Sequence, residues 1–143
     1  MSDTAELNRT GGPTLRLARV VARVEAALVL PLRAEGLRLD EWRALELLAT
    51  GPKRPMSDIA EATLISGPTL TRVIDRLVAA GLLHRIADVQ DRRRVLVGLT
   101  RRGKALHQRL AAKVAGIERA ALDSAPTRED LAAALDELPD PNR

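Results

Sequence analysis

Three arginines stand side by side at positions 92–94, directly after Asp91. Adjacent guanidiniums on a short loop are anion-binding groups, because each offers a planar fork of donors matched to phosphate oxygens. A second cationic set lies on the segment Ser66–Ala80, where Arg72 and Arg76 stand among the short hydroxyls of Ser66, Thr69 and Thr71. The basic residues Arg72, Arg76, Arg85, Arg92, Arg93, Arg94, Arg101, Arg102 and Lys104 face only Asp75, Asp88 and Asp91 between Ser66 and Lys104. From Glu118 to Asp140 the balance reverses, with Arg119 and Arg128 the only cations among Glu118, Asp123, Glu129, Asp130, Asp136, Glu137 and Asp140. A basic middle and an acidic arm suit a molecule that meets a polyanion with one face. The competing reading of any such run is an ordinary solvated surface.

Other chemistries have little to work with. There is no cysteine, which removes disulfides, thiolate metal sites and thiol redox sensing. His84 and His107 are the only histidines, and no Ser, His and acid fall in a nucleophile motif, so an enzyme is the weaker rival. Gly11-Gly12 opens no phosphate-binding loop. Trp42 is the sole aromatic, too few to stack single-stranded bases. No metal or cofactor is expected. The N-terminal residues lack a basic, apolar signal pattern, and no apolar run reaches membrane-spanning length, so a cytoplasmic location is expected.

The elements that must position these groups read as mostly α. With 45% hydrophobic residues in 143, dominated by Leu, Ala and Val, a packed helical core is expected. Leu17, Val21, Val24 and Leu28 form one helical stripe, with Pro31 kinking or stopping its last turn and Gly36 marking the break. Asp40 is the expected N-cap of a helix carrying Trp42, Leu45 and Leu48, ended by Gly51-Pro52. Ser57 is expected to cap a short helix through Thr63, and Ser66 to cap the next, with Pro68 in its first turn. Leu70, Val73, Ile74, Leu77 and Val78 fill the core stripe of that helix, and Gly81 supplies its left-handed cap.

The period then changes. Leu82–Ile86 and Val95–Leu99 are short enough for strands and bracket the charged loop as a hairpin. Thr100 caps a long helix bearing Leu106, Leu110, Val114 and Ile117, and Thr127 with Asp130 starts a last one carrying Leu131, Ala134, Leu135 and Leu138. Short helix, turn, second helix and hairpin in that order make a winged helix-turn-helix, an α+β variant of a mostly α fold.

On the Ser66–Ala80 helix the side opposite the core stripe carries Pro68, Arg72, Asp75, Arg76 and Ala79, with Thr69 and Thr71 on its flanks. Such a helix fits a DNA major groove, with Arg72 able to pair bidentately with guanine and the helix N-terminus favouring phosphate. Ser66, Gly67, Pro68, Thr69, Thr71, Arg72, Arg76, Arg92, Arg93 and Arg94 are therefore the candidate DNA-binding residues. One of the three loop arginines would enter a minor groove, and which one is left open. Asp91 is expected to pair with another of them and hold the loop in shape.

The stretch from Leu39-Asp40-Glu41-Trp42-Arg43-Ala44-Leu45 to Arg102-Gly103-Lys104-Ala105-Leu106 resembles the MarR (multiple antibiotic resistance regulator) family. The resemblance is strongest over Thr69–Leu82 and over Asp91–Thr100, where Asp-Arg-Arg is followed by a strand, Leu-Thr and a long helix. The stretch covers 68 of the 143 residues, just under half of the chain. It implies an obligate homodimer with interleaved terminal helices, two winged lobes on a pseudo-palindromic operator, and a repressor released by a small, often aromatic, anion. Arg72 would be the recognition-helix arginine, Ser66 its cap, and Asp91 with Arg92 or Arg93 the wing pair. The chain departs from the pattern at Gly67, where a basic residue is common, and at Val89, where proline is frequent.

The resulting organisation is a disordered tail (1–13), an N-terminal dimerisation helix (14–36), a DNA-binding lobe (37–99) and C-terminal dimerisation helices (100–143). Apolar surface on the outer helices beyond what one lobe covers argues for the same partnership. Arg16, Arg19, Trp42, Arg43 and Asp58 are candidates to line an effector pocket, with core packing the competing role for Trp42. A winged helix serving only protein contacts is the remaining alternative.

Overall fold

Pro13 occupies the first helical position, where its missing N–H leaves no bond unmade, and α1 (Pro13–Ala34) runs on from it. The computed structural model describes residues 11–122. Of the expected tail at 1–13, residues 1–10 lie outside them, as does the expected helix from Thr127 to Leu138, while Pro13 already belongs to α1. α1 continues through Pro31. It closes at Gly36, whose φ of +74° lets Gly36 N–H reach Arg33 O and Leu37 N–H reach Leu32 O, both at 3.0 Å.

α2 (Leu39–Ala49) begins earlier than Asp40 suggested. Arg38 is its cap residue, and Glu41 reaches back to accept the Arg38 N–H at 2.8 Å, so Asp40 sits inside the first turn. α3 (Met56–Thr63) likewise starts one residue before Ser57, with Pro55 at the cap. It ends on Leu64 in the left-handed region at φ +59°. α4 (Gly67–Ala79) has Ser66 at its cap and Pro68 in its first turn. Gly81 ends it at φ +71°, with Gly81 N–H on Val78 O and Leu82 N–H on Leu77 O, both at 2.9 Å.

The hairpin strands are β2 (Leu83–Ala87) and β3 (Val95–Leu99), paired antiparallel from Leu83↔Leu99 to Ala87↔Val95. The sheet has a third strand that the apolar pattern did not suggest. β1 (Arg54–Pro55) pairs with β3 through Arg54↔Val97 and Pro55↔Leu96, giving the order β1-β3-β2. α5 (Arg101–Leu122) follows, and Thr100 caps it by accepting the Gly103 N–H at 3.0 Å.

The described residues divide into two compact units, Val29–Lys113 and a second made of residues 11–28 and 114–122. In the first of these, Trp42, Leu45, Ile59, Leu70, Ile74, Leu77, Leu83 and Val97 are all at most 2% exposed. Burying each contributes roughly 1.5–3 kcal/mol, which makes this cluster the reason the helices and sheet hold α4 in place. In the other unit Leu28 and Val114 are buried, while Leu15, Leu17 and Val21 of α1 stay exposed. No helix among the described residues is long and apolar enough to cross a membrane.

Candidate nucleic-acid interface

α4 buries Leu70, Val73, Ile74 and Leu77, and this stripe decides which side faces out. Ser66, Gly67, Pro68, Thr69, Thr71 and Arg72 are all exposed on its N-terminal half. The Ser66 hydroxyl does not bond the backbone of the first turn; it donates to Thr69 Oγ1 at 3.0 Å. Thr71 Oγ1 donates to Gly67 O at 3.1 Å. Arg72 makes no ion pair among the described residues, so its fork is available to a ligand. A side chain at Gly67 would meet nothing within 4 Å, so this end of the helix is open.

Arg76 behaves differently from Arg72. Its Nη2 lies 2.9 Å from Oε1 of Glu41, a carboxylate on α2 whose side chain is only 4% exposed. The buried Glu41 carboxylate thus has its counter-charge in Arg76, which ties α4 to α2 while its own side chain stays 46% exposed. The outward acid Asp75 is likewise engaged, by Arg85 of β2 at 2.6 Å. Neither partnership was read from the sequence; each joins residues from different elements, and spacing along one helix carries no trace of it.

The loop between β2 and β3 is built from its acids. Asp88 Oδ1 accepts the Gln90 N–H and Asp91 Oδ1 accepts the Arg93 N–H, each at 3.0 Å and two residues on. The Asp88 N–H donates to Arg94 O at 2.9 Å and closes the loop. Asp91 thus shapes the loop through a backbone N–H, in place of the arginine side-chain pair expected for it. The reason is distance along the chain: an Asp side chain reaches the N–H two residues ahead with little loss of freedom. Arg92, Arg93 and Arg94 are all exposed and make no ion pair among the described residues. Val89, at the tip, is 96% exposed.

Thr100 fastens the hairpin to its base. Its Oγ1 donates to Gly81 O at 2.7 Å and its N–H donates to Leu82 O at 3.0 Å. Gly103 is packed so closely that an added Cβ would stand 2.1 Å from Leu82 O. The end of α4, the start of β2 and the start of α5 are therefore locked together, which sets where the loop sits relative to α4.

The effector-pocket candidates are not gathered into one described site. Trp42 is 1% exposed and stacks on His107, with ring centroids 5.2 Å apart and planes 9° from parallel, so its ring belongs to the core. Arg43 pairs with Asp40 at 3.2 Å and borders a hollow of about 430 Å³ between α2 and α3. Asp58 accepts a hydrogen bond from the Ser57 hydroxyl in the first turn of α3. Arg16 and Arg19 belong to the other unit. Burial lowers the pKa of His107 and raises that of Glu46. His84 lies opposite Gly98 on the sheet, its Nε2 buried without a hydrogen-bond partner.

The MarR family model matches residues 35–94, from the end of α1 to the close of the loop. The homoprotocatechuate degradative operon repressor of Escherichia coli is 29% identical over 83 residues, 58% of this chain and 56% of that protein. The chain thus matches little more than half the length of that relative. A probable transcriptional regulator from Pseudomonas aeruginosa is 30% identical, with a TM-score of 0.71 over 86% of this chain and 93% of that one. Bordetella bronchiseptica BpsR, whose DNA binding is regulated by 6-hydroxynicotinic acid, is 28% identical, with a TM-score of 0.72 over 84% and 90% of the two chains. With its winged helix-turn-helix, its matched segment and these neighbours, the chain belongs to the MarR family.

Proposed function

We propose that this chain is a sequence-specific regulator of transcription that binds double-stranded DNA, acting as a homodimeric repressor released by a small aromatic anion. One observation carries the DNA-binding part: Arg72 on the open half of α4 and the Arg92–Arg94 loop, none of them in an ion pair among the described residues, belong to the same compact unit. The helix supplies base contacts in the major groove and the loop supplies charge to the minor groove. Ser66, Gly67, Pro68, Thr69 and Thr71 surround Arg72 at the helix N-terminus, where phosphate is favoured. The relatives named above are regulators, not enzymes.

The homodimer is supported by α1, where Leu15, Leu17, Val21, Val29 and Leu30 are 43–73% exposed along one helix. Apolar surface on that scale favours a partner, and a second copy is the economical one. Two α4 helices would then meet successive major grooves ~34 Å apart on a pseudo-palindromic operator in the cytoplasm. Release by an aromatic anion is supported by the relative whose DNA binding responds to 6-hydroxynicotinic acid.

The test is a mobility shift on a random duplex pool between about 50 and 200 mM salt. Affinity should fall linearly on logarithmic axes, and replacing Arg92, Arg93 and Arg94 together by Ala should flatten that slope. Binding that is absent, or indifferent to salt, would leave the protein-contact reading. A single protomer persisting at micromolar concentration in sedimentation would remove the dimer.

A further inference from the structure

Between β2 and β3 one side chain does not belong to the charged character of the loop. Val89 is the only apolar residue from Asp88 to Arg94, and it is 96% exposed. Its side chain adds almost nothing to the core. Turn chemistry does not ask for it either, since tight turns favour Gly, Pro, Asn, Asp and Ser. The backbone nevertheless holds it in place. The Gln90 N–H donates to Asp88 Oδ1 at 3.0 Å across Val89, and the Asp88 N–H donates to Arg94 O at 2.9 Å. On the returning side the Arg94 N–H donates to Asp91 O at 2.9 Å. Val89 therefore stands at the tip of a closed turn, followed by the exposed Arg92, Arg93 and Arg94.

We infer that Val89 is a specificity-determining residue, which meets the floor of the minor groove and selects A·T over G·C pairs there. The inference rests on the reading of the chain as a DNA-binding regulator whose loop enters that groove. The minor groove is ~6 Å wide and ~7.5 Å deep, and its floor presents only acceptors at A·T, while G·C adds the guanine N2 amino donor. A valine methyl pressed on that amino group displaces its water and returns no hydrogen bond, which is the costly case of a buried, unmatched donor. The neighbouring arginines cannot repair it, because a guanidinium has donors only. At A·T the same place is taken by the adenine C2–H, an apolar group that a methyl matches, and the flanking acceptors suit the arginines. The two parts of the loop thus divide the work. Arg92–Arg94 attract any duplex, and Val89 rejects the wrong floor.

The experiment starts with selection of duplexes from a random pool by the full chain, with hydroxyl-radical protection locating the minor-groove positions that the loop covers. A·T should be selected there. Mobility shifts then compare base pairs at those positions. A 2,6-diaminopurine·thymine pair, which adds the minor-groove amino group and keeps the major-groove edge of A·T, should weaken binding about fivefold or more. Inosine·cytosine, which lacks that group, should bind about as A·T does, within roughly twofold. Val89→Ser is smaller and brings an acceptor, so it should bind the A·T and diaminopurine duplexes within about twofold of each other. Its thermal melting should match the parent, because the side chain it replaces is exposed. A diaminopurine penalty that persists in Val89→Ser belongs to groove width and overturns the assignment to Val89. Selection with no A·T preference under the loop overturns it as well, while the DNA-binding reading stands. A parent chain that selects no duplex at all overturns both.

Discussion

Asp75 on α4 and Arg85 on β2 are joined at 2.6 Å, so the outward acid of α4 is neutralised by the strand that leads into the loop. On the proposed DNA face, a bare carboxylate there would oppose the phosphates. Arg85→Gln is expected to weaken duplex binding by about 1 kcal/mol while changing stability by less, because both side chains are substantially exposed. Adding Asp75→Asn should restore the affinity. A double-mutant cycle in mobility shifts reads the coupling, and additive losses would remove the screening role.

Arg72→Ala is expected to lower operator affinity by ~1–3 kcal/mol and to relax sequence preference, because a bidentate base contact is lost. Selection from a random pool before and after the change measures both. An unchanged preference would mean that Arg72 meets phosphate only.

Gly67 offers a gain. Its position at the first turn of α4 is open, with nothing within 4 Å of an added Cβ. Gly67→Lys should fit without strain, add one phosphate contact and steepen the salt slope by about one unit. Thermal melting should hardly move.

Gly103 and Leu64 have opposite needs. Gly103→Ala drives a Cβ to 2.1 Å from the Leu82 carbonyl oxygen, and overpacking of this kind costs about 3 kcal/mol or more. Leu64, 91% exposed at φ +59°, bears the cost of a left-handed backbone without burying its side chain. Leu64→Gly should therefore stabilise by about 1 kcal/mol. Chemical denaturation of both variants checks the two signs.

His107 gives a pH dependence of stated sign. Burial holds its folded pKa below the ordinary 6.5, so the unfolded chain takes up a proton first as pH falls. The stability it supports is complete above pH 6.5 and declines below it, until the folded form protonates as well. His107→Phe keeps a ring against Trp42 and should flatten this decline in melts between pH 8 and 5, within the usual titration range of histidine. Glu46 acts in the other direction: its raised pKa means a charge penalty above 4.5 that is relieved as pH falls. Glu46→Gln should remove that separate trend.

Features decided by neighbours along the chain were legible before any coordinates. The apolar stripe of α4 follows from helical spacing, and the stops at Gly36 and Gly81 follow from backbone freedom that only a glycine has there. Thr100 capping α5 and the exposed Arg72 belong to the same class, since each depends on residues within about one turn. Features made by distant partners were not. Arg54–Pro55 is a strand only because Leu96 and Val97 lie beside it, and two residues with a proline carry no strand signal alone. Arg76 could not be told from Arg72 until α2 brought Glu41 against it, and Asp91 was free to choose an arginine until the loop closed on its own backbone. Local periodicity is set by bonds a few residues long; the pairing of charges is set by which segments the core forces together, and that is decided only when the whole chain has packed.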